Sequence, residues 1–163
     1  MKHSYTIMPI ITSTGELLSP LFVLMKEPGG QFPLRGIHVP PNIKPFAHTS
    51  SIMTKEHLSN FIREILVPAA NQKKTLLIVD SWPCYNDREN IKKNIPNKLV
   101  IDFEQIPPNC TPYCQPLDAQ FFRTYKSFVR KLSDRIIADD VDVNLSQREN
   151  ILKMQVQNWC KII

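Results

Sequence analysis

Two short apolar runs limit this fold more than any other feature. Thr75-Leu76-Leu77-Ile78-Val79-Asp80 carries its apolar residues consecutively between turn residues, which predicts a strand buried on both faces, as in parallel sheets. Leu99-Val100-Ile101-Asp102-Phe103 predicts another strand. Between them lie a short polar helix from about Asp87 to Asn94 and a Pro96-Asn97 break. Strand, helix and strand at this spacing predict a crossover unit with its strands parallel.

The flanking segments fit a mixed sheet. Tyr5 to Ile11 and Leu17 to Met25 are β-branched and apolar, and Thr12-Ser13-Thr14-Gly15-Glu16 separates them as a hairpin turn would. Pro20 argues that the second strand starts late or sits at an edge. Glu27 to Ser51 lacks periodicity and reads as a surface excursion, with a short strand near Gly36 to Val39. Thr54 is placed to cap a helix carrying Leu58, Phe61, Ile62, Ile65 and Leu66 on one face, closed by Pro68. A helix from about Asp118 to Leu132 would bury Phe121, Phe122, Tyr125, Phe128, Val129 and Leu132. Asp139, Asp140 and Asp142 mark a solvated break. A last helix starts near Ser146, with Leu152, Val156, Trp159 and Cys160 on one face. The order hairpin, helix, strand, helix, strand, helix is α/β with a mixed sheet.

At 163 residues the chain reads as one domain with room for a sizeable core. Its 42% hydrophobic and 21% charged content is that of a globular chain rather than a disordered one. No apolar run approaches the roughly 18 residues needed to cross a bilayer, and Met1-Lys2-His3-Ser4-Tyr5 lacks the apolar stretch of a secretory signal. Both features argue against a membrane or secreted protein. The net charge of +5 suits contact with a polyanion. Cys84, Cys110, Cys114 and Cys160 are too scattered for a disulfide framework. Cys110 and Cys114 lack the second ligand pair a structural zinc needs, since His38, His48 and His57 lie loosely upstream.

Two aspartates stand out. Asp80 ends a strand, and ligands in open α/β sheets gather beyond the carboxyl ends of strands. Asp118 opens a helix after the rigid stretch Ile106-Pro107-Pro108-Asn109-Cys110-Thr111-Pro112-Tyr113-Cys114-Gln115-Pro116-Leu117. One crossover unit plus that loop could bring both to one point. Carboxylates so gathered repel unless a cation sits between them, and Mg²⁺ takes one or two carboxylates plus water and phosphate oxygens. Plainer roles compete: Asp118 as a helix N-cap, and Asp80 as the start of a turn with Ser81, Trp82 and Pro83.

Leu76-Leu77-Ile78-Val79-Asp80-Ser81, Ile106-Pro107-Pro108-Asn109-Cys110-Thr111 and Gln115-Pro116-Leu117-Asp118 together resemble the DDE superfamily of transposases. The likeness is to the mariner/pogo/Tigger-type branch and the genes domesticated from it. His3-Ser4-Tyr5-Thr6, Gly15, Leu18-Ser19-Pro20-Leu21 and Phe121-Phe122-Arg123-Thr124-Tyr125-Lys126 are similar as well. The resemblance covers roughly residues 3 to 135. It makes 1–135 a partial DDE endonuclease-like domain and 136–163 a C-terminal helical extension of it.

The resemblance implies a ribonuclease-H-like mixed sheet flanked by helices, and metal-dependent cleavage and joining of DNA. It implies Mg²⁺ or Mn²⁺ as cofactor, held by three acids, of which Asp80 matches the second and Asp118 the third. The first has no match: Glu16, Glu27, Glu56 and Glu64 are the only acids before Asp80, and none occupies the required strand. On this reading the chain lacks the family's first, central strand and its helix-turn-helix region. Transposase activity is then not expected unless a second copy, a partner chain or upstream sequence completes the site. DNA as partner and the nucleus as location are also what the resemblance implies.

Arg123, Lys126 and Arg130 are spaced three and four apart, so they share a helix face opposite the aromatic stripe, with Lys131 and Arg135 beyond. Such a face would contact phosphodiester backbone without reading sequence, or serve as an ordinary solvated surface. A second function class is a domesticated, non-catalytic DNA-binding or protein-interaction module.

Overall fold

The computed structural model describes residues 4–71, 74–110 and 115–162, with side chains at all of these except 119–120 and 157–162. The chain forms two compact units: 1–52 with 117–163, and 53–116.

The first unit is built on the hairpin. Strand β1 (Tyr5–Met8) pairs antiparallel with β2 (Leu21–Lys26) in the register Tyr5 to Met25 through Met8 to Phe22. The turn closes through Thr12 N–H to the Glu16 carbonyl at 2.9 Å, and Gly15 takes φ +88°, where a side chain would be strained. β2 begins directly after Pro20, the late start its sequence indicated. Leu21, Val23 and Met25 face a core shared with Leu17, Ile43, Phe121, Tyr125, Ile151 and Leu152. On the opposite face Phe22 stacks on Phe46 at 4.7 Å.

The segment read as a surface excursion holds a strand that the sequence concealed. β3 (Ile43–His48) runs parallel to β2, whereas Gly36 to Val39 forms no strand. Pro45 hid it, because a proline inside an apolar run argues against a ladder. β3 borders β2 alone among the described residues, so its outer edge needs no donor from Pro45.

Two helices complete this unit. A π-helical turn over Leu117–Phe121 leads into α4 (Phe122–Ala138), which follows α1 (Lys55–Phe61), α2 (Val67–Ala70) and α3 (Arg88–Lys93) of the second unit. Tyr125 is buried and Phe122, Phe128, Val129 and Leu132 are half-buried, as their spacing indicated. The helix runs past Leu132 to a Schellman-type stop. There Val141 N–H bonds the Ile136 carbonyl, Asp140 N–H bonds that of Ile137, and Asp140 takes φ +49°. α5 (Arg148–Ile162) buries Ile151, Leu152, Met154 and Gln155, while the side chains of Trp159 and Cys160 lie outside the described residues.

In the second unit Thr54 caps α1 (Lys55–Phe61) in a reciprocal box with His57. Pro68 does not end this helix. A π-helical turn over Ile62–Leu66, with Val67 N–H bonded to the Ile62 carbonyl, carries the chain into α2 (Val67–Ala70). The wider turn relieves the clash a proline ring makes with the carbonyl four residues back. Asn71, at φ +43°, ends the helix.

β4 (Thr75–Val79), α3 (Arg88–Lys93) and β5 (Ile101–Gln105) form the expected crossover. The strands are parallel, in the register Thr75 to Ile101 through Val79 to Gln105. One expectation fails. β4 is not buried on both faces, since Leu76 and Ile78 are 58% and 62% exposed. They share their face with Asp102 and Glu104 across the ladder, and both acids are exposed.

Two small sheets flanked by helices make this a mixed α/β protein, consistent with the ribonuclease-H-like fold. β1 has only β2 as a strand neighbour and β4 only β5 among the described residues. No helix among the described residues is long and apolar enough to cross a membrane.

Candidate functional site

Asp80 follows β4 directly, in the second unit, and is half-buried. Its Oδ1 accepts the Trp82 backbone N–H at 3.1 Å, so the turn role foreseen for it is real. Oδ2 has no hydrogen-bond partner among the described residues. The turn continues through a 3-10 helix over Pro83–Asn86, with Trp82 edge-on to Tyr85 at 5.7 Å. Burial, reinforced by the charge of Asp80, pushes the Tyr85 hydroxyl far above its ordinary pKa and keeps it protonated. Cys84 next to it is no activated nucleophile, because burial raises its thiol despite the opposing pull of Lys55.

Asp118 belongs to the first unit. It sits in the first turn of the Leu117–Phe121 segment, with its carboxylate exposed and Leu117 and Phe121 turned to the core. A carboxylate there benefits from the free amides of a helix start. Each aspartate is described within its own unit. Thr111 to Cys114 lie outside the described residues; beside them Gln115 carries a buried Oε1 with no hydrogen-bond partner among the described residues.

The three cations named from the sequence share α4. Arg123, Lys126 and Arg130 are exposed and form no ion pair among the described residues. Arg135 is different, because it is held by Asp139 one turn on. The aromatic stripe of the same helix turns to the core, where Phe121 stacks on Tyr125 at 6.1 Å.

Sequence reasoning missed what holds this helix. The Tyr5 and Tyr125 hydroxyls meet at 2.7 Å, and buried Gln155 donates to Tyr125 at 2.9 Å. Burial first, then Tyr5, raises the Tyr125 hydroxyl well above its usual pKa, so it stays protonated. Arg148 of α5 grips Glu27, 2% exposed at the end of β2, through Nε at 2.5 Å and a second nitrogen at 2.6 Å. No local pattern announces contacts this far apart in sequence.

A separate groove of about 390 Å³ lies between α1 and α3, lined by Lys55, Glu56, Ser59, Asp87, Glu89, Asn90 and Lys93. Its Lys55 and Asp87 satisfy each other at 2.7 Å, raising the pKa of the lysine and lowering that of the aspartate. Asp80 does not line it.

No three His, Cys, Asp or Glu side chains gather to hold a metal among the described residues. The donor chemistry nonetheless fits a hard divalent cation, since Asp80 and Asp118 each present carboxylate oxygen and form no ion pair among the described residues. Comparison with curated proteins and with solved structures finds no match. The family model described as DDE superfamily endonuclease matches residues 2–163, so the chain belongs to that superfamily, with the transposase-derived, nuclease-like descent this membership carries.

Proposed function

We propose that this chain is a nucleic-acid-binding DDE endonuclease-like domain in which Asp80 and Asp118 are the second and third metal-binding carboxylates. The family generally uses divalent metals. Mg²⁺ or Mn²⁺ is the cation that these carboxylates would bind, and it would supply an activated water and stabilise the leaving oxygen in phosphodiester cleavage. Arg123, Lys126 and Arg130 would hold the DNA backbone beside Asp118. The exposed cationic face of α4, which starts with Arg123 just over one turn beyond that aspartate and forms no ion pair among the described residues, is the observation that carries the reading.

Residues 1–163 offer no counterpart of the first acid, so this stretch alone is proposed to lack cleavage and strand-transfer activity. A second copy or a partner chain would contribute a strand at edges such as those of β1 and β4. The nucleus is the compartment where such a domain would meet DNA. The alternative is a domesticated module that binds DNA or protein without chemistry, and the same cationic face supports it, because that face needs neither aspartate.

Fluorescence anisotropy with labelled duplex DNA across a salt series tests the reading. Changing Arg123, Lys126 and Arg130 together to alanine is expected to make the salt dependence shallower by roughly 2–3 in slope, about 0.9 per lost phosphate contact. Unchanged slope and affinity would remove the DNA interface from α4. Mg²⁺ is expected to raise DNA affinity for the wild type but not for Asp80→Asn or Asp118→Asn. Equal affinity in all three with and without the ion would favour the module.

A further inference from the structure

Between β2 and β3 the chain makes a small projection that none of the foregoing uses. Phe32 and Ile37 are half-buried and pack against the core of the first unit, anchoring the projection on both sides. Between these anchors Gly36 N–H donates to the Pro33 carbonyl at 2.8 Å, closing a four-residue turn. Pro33 fixes its own φ, and Gly36 takes φ +77°, which a side chain would strain. The two residues left at the tip are Leu34 and Arg35.

Leu34 is fully exposed, at 107%. Arg35 is exposed and forms no hydrogen bond or ion pair among the described residues. The turn requires neither side chain, since polar residues serve equally at its corners. What the fold holds out is thus a leucine beside a guanidinium, on a base stiffened by proline and two core anchors.

That pairing suits duplex DNA. A guanidinium reaches phosphate or a narrow minor groove, and an apolar side chain packs on sugars or wedges against a base step. The net charge of +5 favours a polyanion over a basic partner. We infer that the Pro33–Gly36 turn is a second DNA contact, with Arg35 on the backbone and Leu34 against the sugar and base edges. This inference rests on the nucleic-acid reading above.

The test uses the whole chain and a fluorescein-labelled duplex of mixed sequence, read by anisotropy over a salt series. Arg35→Gln is expected to reduce the salt slope by about 0.9, the share of one phosphate. Leu34→Ser is expected to weaken binding roughly five- to tenfold at unchanged slope, as loss of an uncharged apolar contact would. Both residues are exposed, so matching thermal melts are expected and confirm that the variants fold. Wild-type binding by both variants overturns the inference, and it is also the result expected if the tip serves an acidic protein instead. In that case the α4 triple variant still reports on the DNA reading by itself. A wild-type chain that does not bind the duplex at all overturns both.

Discussion

Replacing Arg148 with methionine is expected to lower stability by about 3–5 kcal/mol, because it takes a two-pronged guanidinium away from a buried carboxylate. Glu27 is 2% exposed, and the guanidinium meets both of its oxygens. The pair fastens α5 to the end of β2, so its loss loosens the packing of Ile151 and Leu152 on the sheet. Arg148→Lys is expected to recover part of the loss, since an ammonium restores the charge but not the two-pronged grip. The Glu27 bond raises the pKa of Arg148. A raised folded pKa contributes stability that is complete below the unfolded value and lost only as pH rises through the folded one. That window lies in strong alkali, so the arginine's own titration gives no pH dependence between pH 5 and 9. Urea unfolding measures the effect, and a midpoint shift worth under 1 kcal/mol would contradict it.

Phe121→Ala is expected to cost about 3–5 kcal/mol through the cavity it leaves. Phe121 is 6% exposed, stacks on Tyr125, and meets Phe122 edge-on at 5.2 Å. It also closes the π-helical turn that carries Asp118, so the core holds that turn by this ring and Leu117. Phe121→Leu keeps most of the volume, and its cost is expected to fall below about 1.5 kcal/mol. Thermal and urea melts of the two variants separate cavity from chemistry. Equal costs would mean that the ring's size is not what anchors the turn.

Much of this fold was legible because its signals are local. The crossover of β4, α3 and β5 follows from two apolar runs around a polar helix, and the hairpin from a glycine turn between β-branched runs. Thr54 announces its helix as a cap, whereas the cap that Asp87 supplies to α3 was not read from the sequence. The failures share a cause, in that spatial context decided them. Consecutive apolar residues cannot tell a strand covered on both faces from one with an open face, which is why Leu76 and Ile78 were misjudged. Pro45 disguised an edge strand, and Pro68 looked like a stop because a π-helical turn leaves no mark in residue spacing. The Glu27–Arg148 clasp and the Tyr5–Tyr125–Gln155 chain join distant residues and have no periodicity to read.

The candidate site divides in the same way. Arg123, Lys126 and Arg130 were readable from helical spacing, and α4 places them on one exposed helix. Asp80 and Asp118 were singled out by position, at a strand end and a helix start, and those positions hold. Their proposed roles as metal-binding carboxylates draw on the crossover spacing and on the resemblance of the motif residues around them. The cap role foreseen for Asp118 does not apply, because the helical turn already includes it. The turn role of Asp80 does apply, and it occupies one carboxylate oxygen only.

The central claim is that both aspartates bind the same class of cation, and Mn²⁺ titration of the whole chain followed by electron paramagnetic resonance tests it most directly. Wild-type protein is expected to bind the ion, and Asp80→Asn and Asp118→Asn are each expected to weaken it at least about tenfold, the effect of losing one charged oxygen ligand from a hard-cation site. Unaltered secondary structure in both variants would tie the loss to ligation. Equal Mn²⁺ binding by all three proteins would contradict the claim and leave the cationic helix as the functional feature of the chain.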